Sequence, residues 1–240
     1  MADTSASPGT VRWLGVAFIV FAIAFNLPFS YLGANFNYPA ILREPVGTIL
    51  TAFTAGGTGL VLAWFGFMVA ALVLAPVAVG IAKVTQRVGN AAYAVAGLGI
   101  AAGLAQAIGL SRWIYAAPGL AAEWNAAADP AAKAAVEQLF TTLHQFAGVG
   151  VGEAIGQSLT AFWVIGVALA QSSHPRFGAA VASLGIITGI ILILGLAEGL
   201  ATAIPFSVGI LGLAALVGFV LLSLWLVWTG ILCILRPATA

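Results

Sequence analysis

The chain has 240 residues, of which 62% are hydrophobic and only 6% are charged. A soluble globular domain carries about 25% charged residues, so this composition excludes the soluble class and indicates an integral membrane protein. The formal net charge of +1 argues against a nucleic-acid-binding surface, which requires a basic patch. The single cysteine, Cys233, cannot form an internal disulfide.

The first residues are rich in Ala, Ser, Thr and Pro, and we predict a short disordered cytoplasmic tail over residues 1–11. This stretch lacks the basic region of a secretory signal, and the apolar run after Arg12 is too long for a signal core. That run is therefore interpreted as an uncleaved first span. Residues 12–236 are predicted to form a single six-helix transmembrane domain.

A membrane span needs about 20 mostly apolar residues. Six stretches have this length and composition: Trp13–Leu32, Leu60–Ile81, Ala91–Leu110, Phe146–Ala170, Phe177–Ala197 and Val208–Leu235. Backbone groups in lipid must be hydrogen-bonded within their own segment, so runs this long form helices. The predicted fold is all-α: a polytopic bundle of six transmembrane helices.

The basic residues near the span ends predict the orientation. One side of the membrane has the larger set of basic residues: Arg12, Lys83, Arg87, Arg176 and Arg236. The other side has a smaller set, mixed with acidic residues: Arg43, Arg112 and Lys133. We therefore expect a multi-pass protein of the cell inner membrane with both termini in the cytoplasm.

Two outer loops are longer than a turn requires. In the first, residues 33–59, aromatic residues are followed by Ile49, Leu50 and Phe53, which predicts an interfacial segment at the membrane surface. The second, residues 111–143, carries an aromatic set typical of the interface: Trp113, Tyr115 and Trp124. Asp129-Pro130 predicts a helix start that continues into the fourth span.

Glycines recur at helical spacing in the later spans, at Gly148, Gly152 and Gly156, at Gly185 and Gly189, and at Gly195 and Gly199. Small residues in such stripes let membrane helices approach closely. We interpret them as contacts within one bundle rather than as a dimerisation surface, and the sequence leaves the oligomeric state open.

The few polar residues of the spans converge at one depth. Helix rise places Glu153 in the outer part of the hydrocarbon, and Gln157 shares its face at i+4. The other polar residues expected in the same outer third complete a predicted polar cavity: Arg112, His144, Glu198, Asn26 and Arg43. A carboxylate facing lipid is costly, so Glu153 should face this cavity or a cationic partner, or be protonated.

Structural roles remain open for several of these residues. His144 can also be interpreted as an interfacial histidine that is hydrogen-bonded to a loop carbonyl. Arg112 can be interpreted as an arginine that snorkels to the interface, and Glu198 as a helix cap. His144 and Glu153 are nine positions apart, about 180° on an ideal α-helix. They therefore cannot face one cavity unless the helix kinks near residues 148–152.

Several cofactor sites lack their ligands. A catalytic zinc site needs about three protein ligands, and the two histidines, His144 and His174, are predicted on opposite sides of the membrane, so zinc would require His144 together with two carboxylates. Haem held by two histidines fails for the same reason, and no lysine lies within a span to form a retinal Schiff base. We therefore predict no metal site, no cofactor and no catalytic residue.

Short motifs in the first loop and the fourth span carry a resemblance. They are Tyr38-Pro39-Ala40-Ile41-Leu42-Arg43, Leu143-His144-Gln145 and Gly152-Glu153, with Trp163 further along. With these motifs the chain resembles a family of uncharacterised bacterial multi-spanning membrane proteins, a domain-of-unknown-function family. The resemblance implies a multi-helix inner-membrane protein along nearly the whole chain and implies no activity.

Three functions remain as hypotheses. The first is a small transporter-like or ligand-binding bundle with an outward-facing polar cavity, in contact with the lipid bilayer and with a small molecule or a proton as its ligand. The second is a non-enzymatic accessory or scaffold subunit in which the polar residues form a structural network. The third is a lipid-acting membrane enzyme that uses His144 with Glu137 or Glu153 as acid–base groups.

Overall fold

The computed structural model describes residues 6–85 and 90–237, and all regular structure within these ranges is helical. The α-helices are α1 Pro8–Phe36, α2 Val46–Thr85, α3 Asn90–Tyr115, α4 Ala117–Ala126, α5 Pro130–Leu143, α6 Gly156–Ser172, α7 Ala179–Leu200 and α8 Ala214–Leu235. Two 3₁₀ turns, Ala40–Arg43 and Gly209–Leu213, lie in connections, and a π-helix, His144–Ile155, joins α5 to α6.

The predicted fold is confirmed, because six helical segments are long and apolar enough to cross a membrane. α3 runs on through α4, and α5 through the π-helix into α6, so each of these runs counts as one span. Each span packs against the span before it and the span after it, and α8 packs back on α1. The six spans therefore form a closed ring in chain order.

The ring has two ends, which we call the terminal end and the loop end. The terminal end holds the start of α1, the end of α8 and the connections after α2 and α6; the loop end holds the connections at residues 37–45, 126–130 and 201–213. The two predicted basic sets fall at these two ends, except for Arg87, which lies outside the described residues. Which end faces the cytoplasm stays a prediction.

Helix starts follow local capping chemistry. The Ser7 side chain accepts a hydrogen bond from the Thr10 backbone, so α1 begins at Pro8, inside the segment 1–11 that was predicted to be disordered. Residues 1–5 of that segment lie outside the described residues. The predicted start at Asp129-Pro130 is confirmed, since Asp129 accepts from the Ala131 backbone and the helical run extends to Ser172.

The first loop folds inward rather than presenting an apolar face to lipid. α2 breaks at Gly57, whose φ of 55° is accessible to glycine, so the residues before it form a separate short helical arm. Ile49, Leu50 and Phe53 of this arm are buried against protein. Trp113, predicted at the interface, is also buried, because its ring stacks on Trp64. The depth of the arm in the membrane stays a prediction.

Glycines serve intramolecular packing, as predicted for the stripes. A Cβ on Gly185 would lie 2.7 Å from Ala168 of α6, and one on Gly195 would lie 2.6 Å from the Ala215 backbone of α8. Such distances leave no room for a methyl group, so these residues bring neighbouring spans into close contact.

Candidate functional site

A cavity of about 150 Å³ lies at the loop end of the ring, where residues from all six spans contribute to its wall. One part of this wall is charged or polar, with Arg43, Arg112, Glu153, Glu198 and Gln157. Five of the seven predicted site residues therefore line one cavity, and the remaining two, His144 and Asn26, do not.

An ion-pair triad forms the charged part of the wall. Arg43 donates from one terminal nitrogen to Glu153 Oε2 at 3.0 Å and lies 3.2 Å from Glu198 Oε1. The three side chains come from the 3₁₀ turn after α1, the π-helix and α7, and each is about 30% exposed. The triad therefore joins three parts of the ring at a point that can be reached from outside the bundle.

The π-helix changes the angular relation that the sequence predicts for His144 and Glu153. A π-helix bonds residue i to i+5 and so turns less per residue than an α-helix, which makes nine residues about two turns. The angle of about 180° that an ideal α-helix would give therefore does not apply to this pair. Glu153 faces the cavity, while His144 lies behind Arg112, against Phe140 and Trp113.

Arg112 is held by neutral groups. One terminal nitrogen donates to the Gly109 carbonyl, the other lies 3.5 Å from Nδ1 of His144, and the guanidinium lies 5.1 Å from the centre of the Trp113 ring. The contact to His144 is a hydrogen bond only when Nδ1 is unprotonated and accepts. Within residues 6–85 and 90–237, Arg112 forms no ion pair with a carboxylate.

Two amides line the cavity between the spans. Gln157 donates to the Leu192 carbonyl at 2.7 Å, which ties α6 to α7. Gln106, which the sequence reasoning missed, donates to the Thr160 hydroxyl at 2.7 Å and so ties α3 to α6. Gln106 lies in the outer part of the third predicted span, so its depth is a signal of the same kind as that of Gln157.

Asn26 belongs to a different contact. Its amide donates to the Ala22 carbonyl at 2.7 Å and to the Ser223 hydroxyl at 2.8 Å, so it joins α1 to α8. The depth estimate placed Asn26 level with the other polar groups, but depth does not fix the direction of a side chain around its helix. The structure therefore separates Asn26 from the cavity.

Aromatic rings form a large part of the remaining wall: Phe25, Phe29, Tyr38, Trp64, Phe67, Trp113 and Phe219. Tyr38 meets Trp64 at 87° with ring centres 5.2 Å apart, and Phe29 at 78° with centres 5.5 Å apart. Burial, helped by the charge of Glu153, raises the pKa of the Tyr38 phenol, which therefore remains a neutral donor. Tyr38 belongs to the sequence motif of the first loop but is not among the predicted site residues.

The sequence profile described as "Domain of unknown function (DUF4386)" matches residues 13–230, which is most of the chain. The chain belongs to the DUF4386 family. No curated protein and no solved structure matches it. The predicted resemblance to a domain-of-unknown-function family of multi-spanning membrane proteins is thereby confirmed. In this DUF4386 protein, Tyr38, Arg43 and Glu153 of the motifs that carried the resemblance all line the cavity.

Proposed function

We propose that this DUF4386 protein is a ligand-binding, transporter-like bundle that admits a small molecule to the cavity from the loop end. The single observation that carries the proposal is the Arg43–Glu153–Glu198 triad in the cavity wall. Charged residues within membrane spans are rare, and they commonly mark the path of a substrate or an ion. In this proposal the loop end faces outward from a cell inner membrane and both termini are cytoplasmic.

The geometry supports entry of a ligand through the triad. Arg43 lies on a short 3₁₀ turn between α1 and α2, while its two acidic partners lie on the fourth and fifth spans. Movement of this one turn would therefore release both carboxylates and widen the cavity, with no span required to unfold.

The test is thermal unfolding of the purified full chain in detergent against a panel of small acids, amines, amino acids and sugars. A ligand at 100 times its Kd stabilises the folded state by about 2.7 kcal/mol. We expect at least one compound to raise the melting temperature of the wild-type protein and to lose this effect in Glu153→Gln. The matched control is Glu137→Gln, which removes an exposed carboxylate from α5 of the same span.

The same triad is also the observation that favours the alternative function, a scaffold or accessory subunit. Arg43 already has both of its acidic partners, so the three residues can serve as a structural network alone. In that case Glu153→Gln lowers the melting temperature relative to Glu137→Gln, and no compound in the panel raises the melting temperature of the wild-type protein. That pair of results would reject the ligand-binding proposal.

A further inference from the structure

The two arginines of the cavity wall differ in their contacts with carboxylates. Arg43 is shared by both carboxylates of the triad, whereas Arg112 has only the Gly109 carbonyl, the His144 ring and the Trp113 face as partners among the described residues. Nε of Arg112 is buried and has no hydrogen-bond acceptor within the described residues. The cavity therefore contains one guanidinium that forms no direct ion pair with a described carboxylate, and the charge of Glu153 acts on it only through space.

An unpaired guanidinium between membrane spans is energetically costly, because the low-dielectric interior does not replace the water that it loses. Glycine provides the room that this cation occupies: a Cβ on Gly148 would lie 2.6 Å from the centre of the guanidinium. The chain thus places a cation at the cavity wall without a described carboxylate in direct contact with it. A bound anion would complete the pairing.

Tyr38 supplies a second donor toward the same cavity. Its ring is part of the wall, and its hydroxyl forms no hydrogen bond to any other side chain or backbone group in the described part of the chain. Charge-assisted hydrogen bonds to a carboxylate are about twice as strong as neutral ones. A carboxylate can accept from Arg112 and from a hydroxyl at once, because each of its oxygens has two lone pairs.

The volume of the cavity and the residues that line it indicate what the non-anionic part of the ligand is. An engineered cavity of about 150 Å³ lined by apolar side chains binds benzene, and the cavity here has about this volume. Phe25, Phe29, Trp64 and Phe67 line it, and rings at such angles favour edge-to-face contacts with a further ring. The apolar part of the ligand is thus about the size of one aromatic ring.

We propose that the cavity binds a small organic carboxylate, with its carboxylate on Arg112 and Tyr38 and its apolar body among the aromatic rings. This inference rests on the proposed ligand-binding function and names the class of ligand. A cationic ligand is disfavoured because it would lie beside two guanidinium groups, those of Arg43 and Arg112, while each carboxylate of the wall already contacts Arg43. Inorganic phosphate is disfavoured because it has no apolar part to bury.

Four probes test this inference: benzoate, benzyl alcohol, benzylamine and inorganic phosphate. The first three share one ring and differ in charge, so a comparison of their affinities isolates the anionic group. We expect benzoate to raise the melting temperature of the full chain in detergent and to show saturable binding by calorimetry. A preference for benzylamine, benzyl alcohol or phosphate over benzoate would overturn the inference.

Arg112→Gln is the decisive variant, and Arg12→Gln, at an exposed arginine near the start of α1, is its matched control. We expect the affinity for benzoate to fall about tenfold or more in Arg112→Gln, because a charge-assisted contact is lost, and to be unchanged in Arg12→Gln. Equal affinity in the two variants would overturn the inference. Tyr38→Phe, which keeps the ring, should weaken benzoate binding and leave benzyl alcohol binding unchanged.

A second variant, Arg112→Lys, tests the same contact if Arg112→Gln does not fold. Arg112→Lys keeps the positive charge but loses the planar fork of donors, so benzoate should bind more weakly than to the wild-type protein. Undiminished affinity in Arg112→Lys would overturn the proposed guanidinium contact. If benzoate fails while another compound stabilises the protein in a Glu153-dependent manner, the anion inference falls and the ligand-binding proposal stands. If no compound binds, both fall.

Discussion

At the scale of single residues, some buried polar groups of the bundle have hydrogen-bond partners and others, Trp163 Nε1 among them, have none within the described residues. In the terminal half, Gln171 donates to the Thr229 hydroxyl at 3.0 Å and accepts from the Trp225 indole at 3.0 Å, and all three residues are buried. In the loop half, Arg112 and Trp113 each have a buried nitrogen without a partner. The first arrangement holds α6 to α8, whereas the second is suited to a ligand.

The first prediction concerns Gln171→Leu. This change removes both hydrogen bonds and leaves the Trp225 nitrogen buried without an acceptor. Interhelical polar contacts in membrane proteins contribute about 0.6 kcal/mol on average and about 1.7 kcal/mol at most. Because two such contacts are lost together, we expect the free energy of unfolding to fall by about 1–2 kcal/mol.

A denaturant titration in detergent micelles measures this loss. The matched control is Gln138→Leu on the exposed surface of α5, which should change the free energy of unfolding by less than about 0.5 kcal/mol. A Gln171→Leu protein as stable as this control would show that the network contributes nothing to the packing of α6 on α8.

At the scale of helices, the spans were predictable and the cavity was only partly so. Hydrophobic length identifies a span without further context, because lipid admits no other backbone arrangement for such a run. The angular position of a side chain depends on the type of helix, and no pattern in the sequence indicated a π-helix over His144–Ile155. The angle of about 180° expected between His144 and Glu153 on an ideal α-helix therefore does not apply, although His144 does lie away from the cavity that Glu153 faces, and the depth of Glu153 and Gln157 led to the cavity.

Tertiary contacts explain the other differences between the sequence prediction and the structure. Asn26 satisfied the depth criterion, but its partner Ser223 is 197 positions away along the chain and could not be identified from spacing. Trp113 has the composition of an interfacial residue, yet stacking on Trp64 buries it. The aromatic part of the cavity wall was missed because apolar rings within apolar spans give no distinguishing pattern.

The second prediction tests the crossing of α3 with the π-helix. A Cβ on Gly109 would lie 2.7 Å from the Gly152 Cα, so Gly109→Ala forces two backbones apart. Overpacking of this kind costs about 1–3 kcal/mol, and the displaced π-helix would also move Glu153 away from Arg43. We expect a lower melting temperature and a loss of ligand-induced stabilisation.

Gly97→Ala is the control for this prediction, because it lies on the same helix and a Cβ there would meet nothing within 4 Å. Alanine is the better helix former by about 1 kcal/mol, so the control should be at least as stable as the wild-type protein. Equal melting temperatures for the two variants would show that the crossing tolerates a methyl group.

At the scale of the whole molecule, the two ends of the ring differ in how firmly they are closed. At the terminal end, Arg176 is buried and donates to three backbone carbonyls, those of Val84, Arg236 and Pro237, at 2.7–3.1 Å. At the loop end, the partly exposed ion-pair triad joins the 3₁₀ turn to two spans. We therefore expect conformational change to occur at the loop end while the terminal end keeps the ring together.

The last prediction is that the terminal end depends on the shape of Arg176 and not only on its charge. Burial lowers the pKa of Arg176. The carbonyls that accept hydrogen bonds from its guanidinium lie at the ends of α2 and α8, where helix dipoles favour a cation. Lysine can place one ammonium there but cannot reach three separated carbonyls. Since hydrogen bonds to charged groups contribute about 1.5–3 kcal/mol each, Arg176→Lys should lower the free energy of unfolding by at least about 1.5 kcal/mol.

Arg12→Lys, at an exposed arginine of the same end, should leave the free energy of unfolding unchanged in the same titration. Because Arg176 lies at the end of the ring opposite to the cavity, Arg176→Lys should also keep the affinity for any ligand that binds the wild-type protein. Loss of stability together with loss of binding would show that the two ends are mechanically coupled. Stability equal to that of Arg12→Lys would show that charge alone holds the terminal end, since lysine retains the charge but cannot make all three directed bonds.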